Sequence, residues 1–359
     1  LVVERWLQLP PSEETRAWAT VVASLEKEGI AEPGAHLAAL RSFQTVLILA
    51  KRTPLTEQDL AEIRQFAQAQ GYDLVYLPDI NREEANRFHI IPEDPYFRAF
   101  QEILDPAKRS DFFHRHPYDV RPASDGRPFF FHYFRLTQIP AILASFGRVW
   151  QPFGGGGYLV LVVLLGLALA ASSVFILLPL ALRSPPKEAL PLPGRARVAV
   201  FSYFAALGLA YLLVELPLLQ YFILLLGQPI YALALVLAVL LGSSVLGSLW
   251  GEGRSRLWLA ALAPLVGLYA LFLGRWLPSL LGLAFPLRAL SGVVLLAPLG
   301  ALMGMPFPAG IRALGSFAPR YIPWAWAVNG CASVVGSILA TMLAVSFGFA
   351  PVLGLAAGL

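Results

Sequence analysis

Glu215 is the residue whose chemistry is hardest to ignore. It lies in Tyr211-Leu212-Leu213-Val214-Glu215-Leu216-Pro217, well inside an apolar stretch. A carboxylate is expensive in hydrocarbon, so such a residue faces a bundle interior or carries a proton, and acids at that depth mark ion and proton paths. Pro217 cannot donate to the helix and frees a backbone carbonyl one turn earlier. Gln220 and Gln228 follow, and Asn329 opens a later apolar run. The four could line one intramembrane site for a proton, an ion or a polar solute. They could equally be structural contacts that fix helix packing.

Elsewhere the chemistry is sparser. Asp111, His114 and His116, with His89 or His132, match no standard zinc spacing, so no metal site is assigned. Asp125 and Arg127 sit in a Gly/Pro turn ahead of an aromatic run that contains His132. These three are the candidate junction between a soluble part and a membrane part. No Gly-x-Ser-x-Gly nucleophile motif occurs, which removes support for acyl transfer. The single cysteine, Cys331, excludes an intrachain disulfide.

The charges divide the chain. Residues 1–150 carry 17 Lys and Arg, 20 Asp and Glu and all five histidines, whereas 151–359 carry 10 basic and 3 acidic residues. The first part suits a water-soluble surface. The second cannot cover one, and its apolar runs are long enough to cross a bilayer. The excess base falls in short loops, where membrane orientation explains it better than nucleic-acid binding does. The expected organisation is a soluble α/β segment over 1–150, a Gly-rich joint over 151–157 and a transmembrane bundle over 158–359.

In the soluble part, 1–7 reads as a strand. Ser12 is placed to cap a helix whose apolar stripe is Trp18, Val21, Val22 and Leu25, ending at Gly29. A buried strand is expected over 45–50. Thr56 and Asp59 form a capping-box pattern before a second helix that runs to Gly71. Another strand spans 73–77, and Pro95 starts a short helix to Leu104. Strand, helix, strand, helix, strand implies an α/β layer.

In the second part, spans are expected over 158–182, 198–226, 230–250, 257–273, 287–305 and 324–347, each near the ~20 residues a bilayer core requires. The stretch 276–286, broken by Pro278, Gly282 and Pro286, reads as re-entrant or interfacial. The apolar run from Phe349 to Leu359 reads as a seventh helix cut short. Gly300/Gly304, Ser243/Gly247 and Ala332/Gly336/Ala340 have the spacing of close helix packing. Odd-numbered loops hold Arg183, Lys187, Arg195, Arg197, Arg254, Arg256, Arg312 and Arg320, against Arg275 and Arg288 in the others. The positive-inside rule puts the odd loops in the cytoplasm and the soluble segment outside. The expected location is the cell (cytoplasmic) membrane, multi-pass.

Several stretches together resemble a known family. They are Arg5-Trp6-Leu7-Gln8-Leu9-Pro10-Pro11, Asp119-Val120-Arg121-Pro122, Asp125-Gly126-Arg127-Pro128-Phe129-Phe130-Phe131-His132, Gly304-Met305-Pro306-Phe307-Pro308-Ala309-Gly310 and Trp324-Ala325-Trp326-Ala327-Val328-Asn329-Gly330. The chain is similar to bacterial spermidine synthase-like (polyamine aminopropyltransferase-like) multi-pass membrane proteins. The resemblance implies a partial methyltransferase-like, Rossmann-type α/β segment followed by an all-α transmembrane bundle. It makes the chain the C-terminal part of such a protein, with its opening strand matching the fifth strand of the fold. The glycine-rich cofactor loop and catalytic acid would lie upstream. No catalytic or cofactor-binding residue is then carried by this chain, and an S-adenosylmethionine-type nucleoside belongs only to a full-length parent. It also implies a cytoplasmic domain, opposite to the charge count. Three readings stay open: a chain silent by itself whose parent acts on a polyamine or related amine, a transporter of a small polar or cationic solute, and a membrane assembly protein. The partners expected are the lipid bilayer, a small amine or cation, a second copy of the chain, and no nucleic acid.

Overall fold

The computed structural model describes residues 1–133, 156–182, 192–250 and 255–359. Most of the glycine joint, with Arg183, Lys187 and Arg254, lies outside the described residues. The chain divides into two units, Leu1–Ser124 with Pro128–Tyr158, and Asp125–Arg127 with Leu159–Leu359.

The first unit is built on a four-stranded open sheet of β1 (Val2–Trp6), β2 (Leu37–Arg41), β3 (Thr45–Ala50) and β4 (Asp73–Tyr76), in the order β1-β3-β2-β4. Every pairing is antiparallel. This overturns the Rossmann-type reading, which requires a parallel sheet. The reason is β2. Its sequence, Leu-Ala-Ala-Leu-Arg, neither alternates nor carries β-branched residues, and it escapes a pattern search. Ser42 N–H donates to Thr45 O (2.8 Å) and turns β2 directly into β3 as a hairpin. One unseen strand therefore reverses the direction of everything after it. Two split βαβ units result: β3 lies between β1 and β2, and β2 lies between β3 and β4.

Helices cover both faces of the sheet. α1 (Glu13–Lys27) and α3 (Pro95–Leu104) pack on the face showing Leu37, Ala39, Val46 and Ile48. Trp18 stacks on Phe100 at 4.5 Å, and its Nε1 donates to Phe100 O (3.1 Å). α2 (Glu57–Gln70) packs on the opposite face through Leu60, Ile63 and Ala67, against Ala38, Leu40, Leu47 and Leu49. Burial on both faces explains why β2 is apolar throughout. The capping box of α2 is formed: Asp59 N–H donates to Thr56 Oγ1 (3.2 Å), and Thr56 N–H donates to Asp59 Oδ2 (2.8 Å). Lys51 and these Thr56 bonds hold the Asp59 carboxyl down to about 2. α4 (Pro106–Arg115) completes the unit.

The second unit is helical. α5 (Gly156–Ser172) continues through a π turn at Ser173–Leu177 into α6 (Leu178–Leu182). α7 (Gly194–Leu226), α8 (Pro229–Trp250), α9 (Ser255–Leu280), α10 (Phe285–Met303), α11 (Pro306–Phe317), α12 (Ile322–Phe347) and α13 (Phe349–Gly358) follow. Six helices among the described residues are long and apolar enough to cross a membrane. Apolar side chains such as Val163, Phe175, Val294 and Trp326 point outward, which water would penalise and lipid would not. This is a multi-pass membrane protein whose helices are embedded in a lipid bilayer. α9 runs unbroken through Pro264 and Pro278, so 276–280 is helix rather than a re-entrant piece. Transmembrane helices tolerate such prolines because their neighbours satisfy the freed groups.

Small residues set the closest contacts. A Cβ on Gly300 would meet Ser243 Oγ and come within 2.9 Å of Leu240 O, and one on Gly247 would strike Ala301 O. Leu235 faces Gly292 and Ser244 faces Gly304, so α8 and α10 run parallel, as third and fifth spans must. Ser244 Oγ donates to Gly300 O (2.9 Å) across that seam. Gly208 of α7 likewise meets Asn329, Ala332 and Ser333 of α12, and Gly336 meets Leu209. Arg288 Nη1 donates to Leu225 O (2.8 Å), placing a cation on the carbonyl end of α7.

Candidate intramembrane polar site

α7 presents the candidate site. Glu215 is half-buried in the middle of this 33-residue helix, flanked by the buried Leu213, Val214, Pro217 and Leu218. Its carboxyl forms no hydrogen bond or ion pair among the described residues. It is also the only acidic residue in any described span. Pro217 has no N–H to give the Leu213 carbonyl, which leaves one backbone oxygen without its helical donor, on roughly the opposite side of the helix from the carboxyl. Tyr211 stands one turn earlier on the same face. Its hydroxyl is buried beside Ser244 and closes no hydrogen bond of good geometry among the described residues. Carboxyl and phenol form a short column of two oxygen functions on one helix face. Such a column can hold a proton or one small, weakly ligated cation. It is too poor in oxygens for the six or more ligands that Ca²⁺ requires.

The other three candidates stand apart from it. Asn329 Nδ2 donates to Phe204 O (3.1 Å), and Ser333 Oγ donates to Asn329 O (3.0 Å). Phe204 precedes Glu215 by three helical turns, roughly 16 Å at 1.5 Å per residue. Gln220 is half-buried on α7, at an angle that takes it off the face of Glu215. Gln228 is exposed, past the left-handed turn at Gly227 that ends α7.

The junction residues fall in both units. Asp125 is exposed, and Asp125–Arg127 belongs with the helices. Arg127 Nε donates to Val345 O (3.0 Å), and Gly126 O accepts from Phe349 N–H (3.0 Å). His132 belongs to the first unit: its carbonyl accepts from Arg16, and its ring lies 5.4 Å from that of Tyr158. The histidines do not converge. His116 packs on Phe112 and Tyr118, His89 contacts Asp73, and no group of three potential ligands gathers among the described residues.

Two polar clusters in the first unit escape sequence reading. Arg41 and Asp73, at paired positions of β2 and β4, form an ion pair (3.1 Å) with both side chains almost fully buried. Asp73 also accepts from Phe88 N–H (2.6 Å) and His89 N–H (2.9 Å), and Arg41 donates to Asn86 Oδ1 (2.6 Å). Asn86, Glu93 and Asp94 adopt positive φ, so this pair clamps a contorted loop onto the sheet. The second cluster surrounds Glu14, which the sequence presents only as an acid suited to a helix start. No local signal reports that it is buried.

Comparisons with protein-family models, with curated proteins and with solved structures find no match to this chain. With an antiparallel sheet and no matching family, the resemblance to spermidine synthase-like proteins is not upheld. The methyltransferase-like fold, the aminopropyltransferase-like identity and the polyamine reading of a parent protein go with it. What stands is a multi-pass membrane protein carrying a small antiparallel α/β unit.

Proposed function

We propose that the helical unit binds a proton or a small cation inside the membrane at Glu215 and passes it across. The observation that carries this reading is the lone carboxyl within a span, without a hydrogen bond or ion pair among the described residues, with the buried Tyr211 hydroxyl one turn away on the same face. A structural role would be served by a carboxyl tied to a donor on a neighbouring helix, as Asn329 is tied to Phe204. An acid left without such a tie is stable in lipid only while neutralised, and what neutralises it is the ligand. Asn329 fixes the α7–α12 contact about three turns away, and Gln220 and Gln228 take no part in the site.

The test is flux through the full chain reconstituted in liposomes that contain a pH-sensitive dye, under imposed proton, sodium or potassium gradients. Wild type is expected to dissipate at least one gradient. Glu215→Gln should slow that flux by about tenfold or more, the scale expected when a single obligatory group is lost. Equal flux by the two proteins, or none above empty liposomes, would defeat the proposal.

A further inference from the structure

The first turn of α1 buries a carboxylic acid. Glu14 is 0% exposed. Its Oε1 accepts from Ser12 N–H (2.9 Å), while Oε2 has no partner among the described residues. The neighbouring Thr15 Oγ1 is buried and equally unsatisfied. Around them runs a polar network. Gln8 Oε1 accepts from Ser12 Oγ (2.8 Å) and from Tyr133 Oη (2.9 Å), and Tyr96 Oη donates to Gln8 O (2.9 Å). Arg16 donates to His132 O, and Asp119 N–H donates to Tyr133 O (2.8 Å). Residues 132 and 133, which lead along the chain toward the first span, are thus fastened to the first turn of α1 by the network that encloses Glu14.

The titratable and charged groups around Glu14 come from several elements. Glu13 is beside it on α1 and pairs with Arg5 of β1 (3.4 Å). Tyr96 comes from α3, and Tyr118 and Tyr133 from the segment after α4. Arg16, further along α1, directs a guanidinium N–H to His132 O. No ion pair joins Glu14 to a cation among the described residues.

We propose that Glu14 is a proton-operated latch: neutral, it lets residues 132–133 stay docked on α1, and ionised, it draws water into the pocket and releases them. The step is a plain proton loss from the carboxyl to solvent. The anion then has to be hydrated, because no ion pair receives it among the described residues. The cover that can lift is the 132–133 segment, which hydrogen bonds hold in place, rather than α1, which is locked into the core by Trp18. Burial pushes the Glu14 carboxyl up to about 8, and Glu13 adds to the rise. The bonds from Ser12 and from its own backbone amide pull the other way and only partly offset it.

Hydrogen–deuterium exchange on the full chain in lipid nanodiscs tests this, following peptides over 128–133 from about pH 6.5 to 9.5 with intrinsic rates corrected. In wild type, protection should fall by about tenfold for each pH unit from about 6.5 up to about 8 and level off above it, as linkage to one ionisation demands. Glu14→Gln should stay protected throughout, and Tyr133→Phe should exchange faster at every pH. A wild-type segment equally protected at both ends of the range would overturn the latch, as would the same fall in Glu14→Gln. Should Glu14→Gln fail to fold, the wild-type series decides alone.

Discussion

Among the described residues, Glu14 and Glu215 are both carboxyls without an ion pair, and each is informative for a different reason. Glu14 sits in a protein interior, so its ionisation acts directly on the stability of the first unit. Its carboxyl is raised to about 8 when folded and returns to an ordinary 4.5 when the chain unfolds. Between those values the folded state holds one proton more than the unfolded state, so stability must fall as pH rises. The stabilisation is full below about 4.5 and gone above about 8. Its slope approaches about 1.4 kcal/mol per pH unit. Thermal unfolding of the full chain, followed by Trp18 fluorescence after the other seven tryptophans are replaced by Phe, should show the midpoint of the first unit dropping across that window. In Glu14→Gln the drop should be largely absent. The two acids differ in what their immediate neighbours in the chain reveal. Glu215 betrays itself because everything near it in the chain is apolar. Glu14 does not, because what buries it arrives from residues 96, 118 and 133.

At the scale of elements, legibility follows the length of the pattern. The strands over 2–6, 45–50 and 73–76, the helices with Trp18 and with Leu60, and the Pro95 helix show themselves through stripes, caps and prolines that act locally. β2 does not, since Leu-Ala-Ala-Leu-Arg is as good a helical fragment as a strand, and only two-sided burial makes it one. That single omission converts an antiparallel hairpin sheet into an apparent parallel one. The spans are legible because hydrocarbon imposes a length that no soluble element needs. Helix-to-helix contacts are partly legible: Gly247 and Gly300 do lie where α8 and α10 touch, although glycine is abundant throughout the bundle. Gly247→Leu should therefore wedge α8 from α10. The expected result is a loss of monodisperse protein in detergent, read by size-exclusion chromatography. Gly267→Leu should be tolerated, because a Cβ there meets open space.

At the scale of the whole chain, the two units answer to different solvents. The first folds by covering both faces of a sheet against water. The second is held together by close backbone approach and a few interhelical hydrogen bonds, while its apolar flanks are left for lipid. A carboxyl inside a span should therefore be reached through lipid rather than through water, and its reactivity should report its protonation and occupancy. Lipid-soluble and water-soluble carbodiimides, applied to the full chain in nanodiscs and followed by peptide mass spectrometry, exploit this difference. The lipid-soluble reagent should modify Glu215, more slowly as pH rises or as a bound cation competes, and the water-soluble one should leave it untouched. A Glu215 that neither reagent modifies, or that both modify at equal rates whatever the pH and cation, would contradict a membrane-embedded proton or cation site.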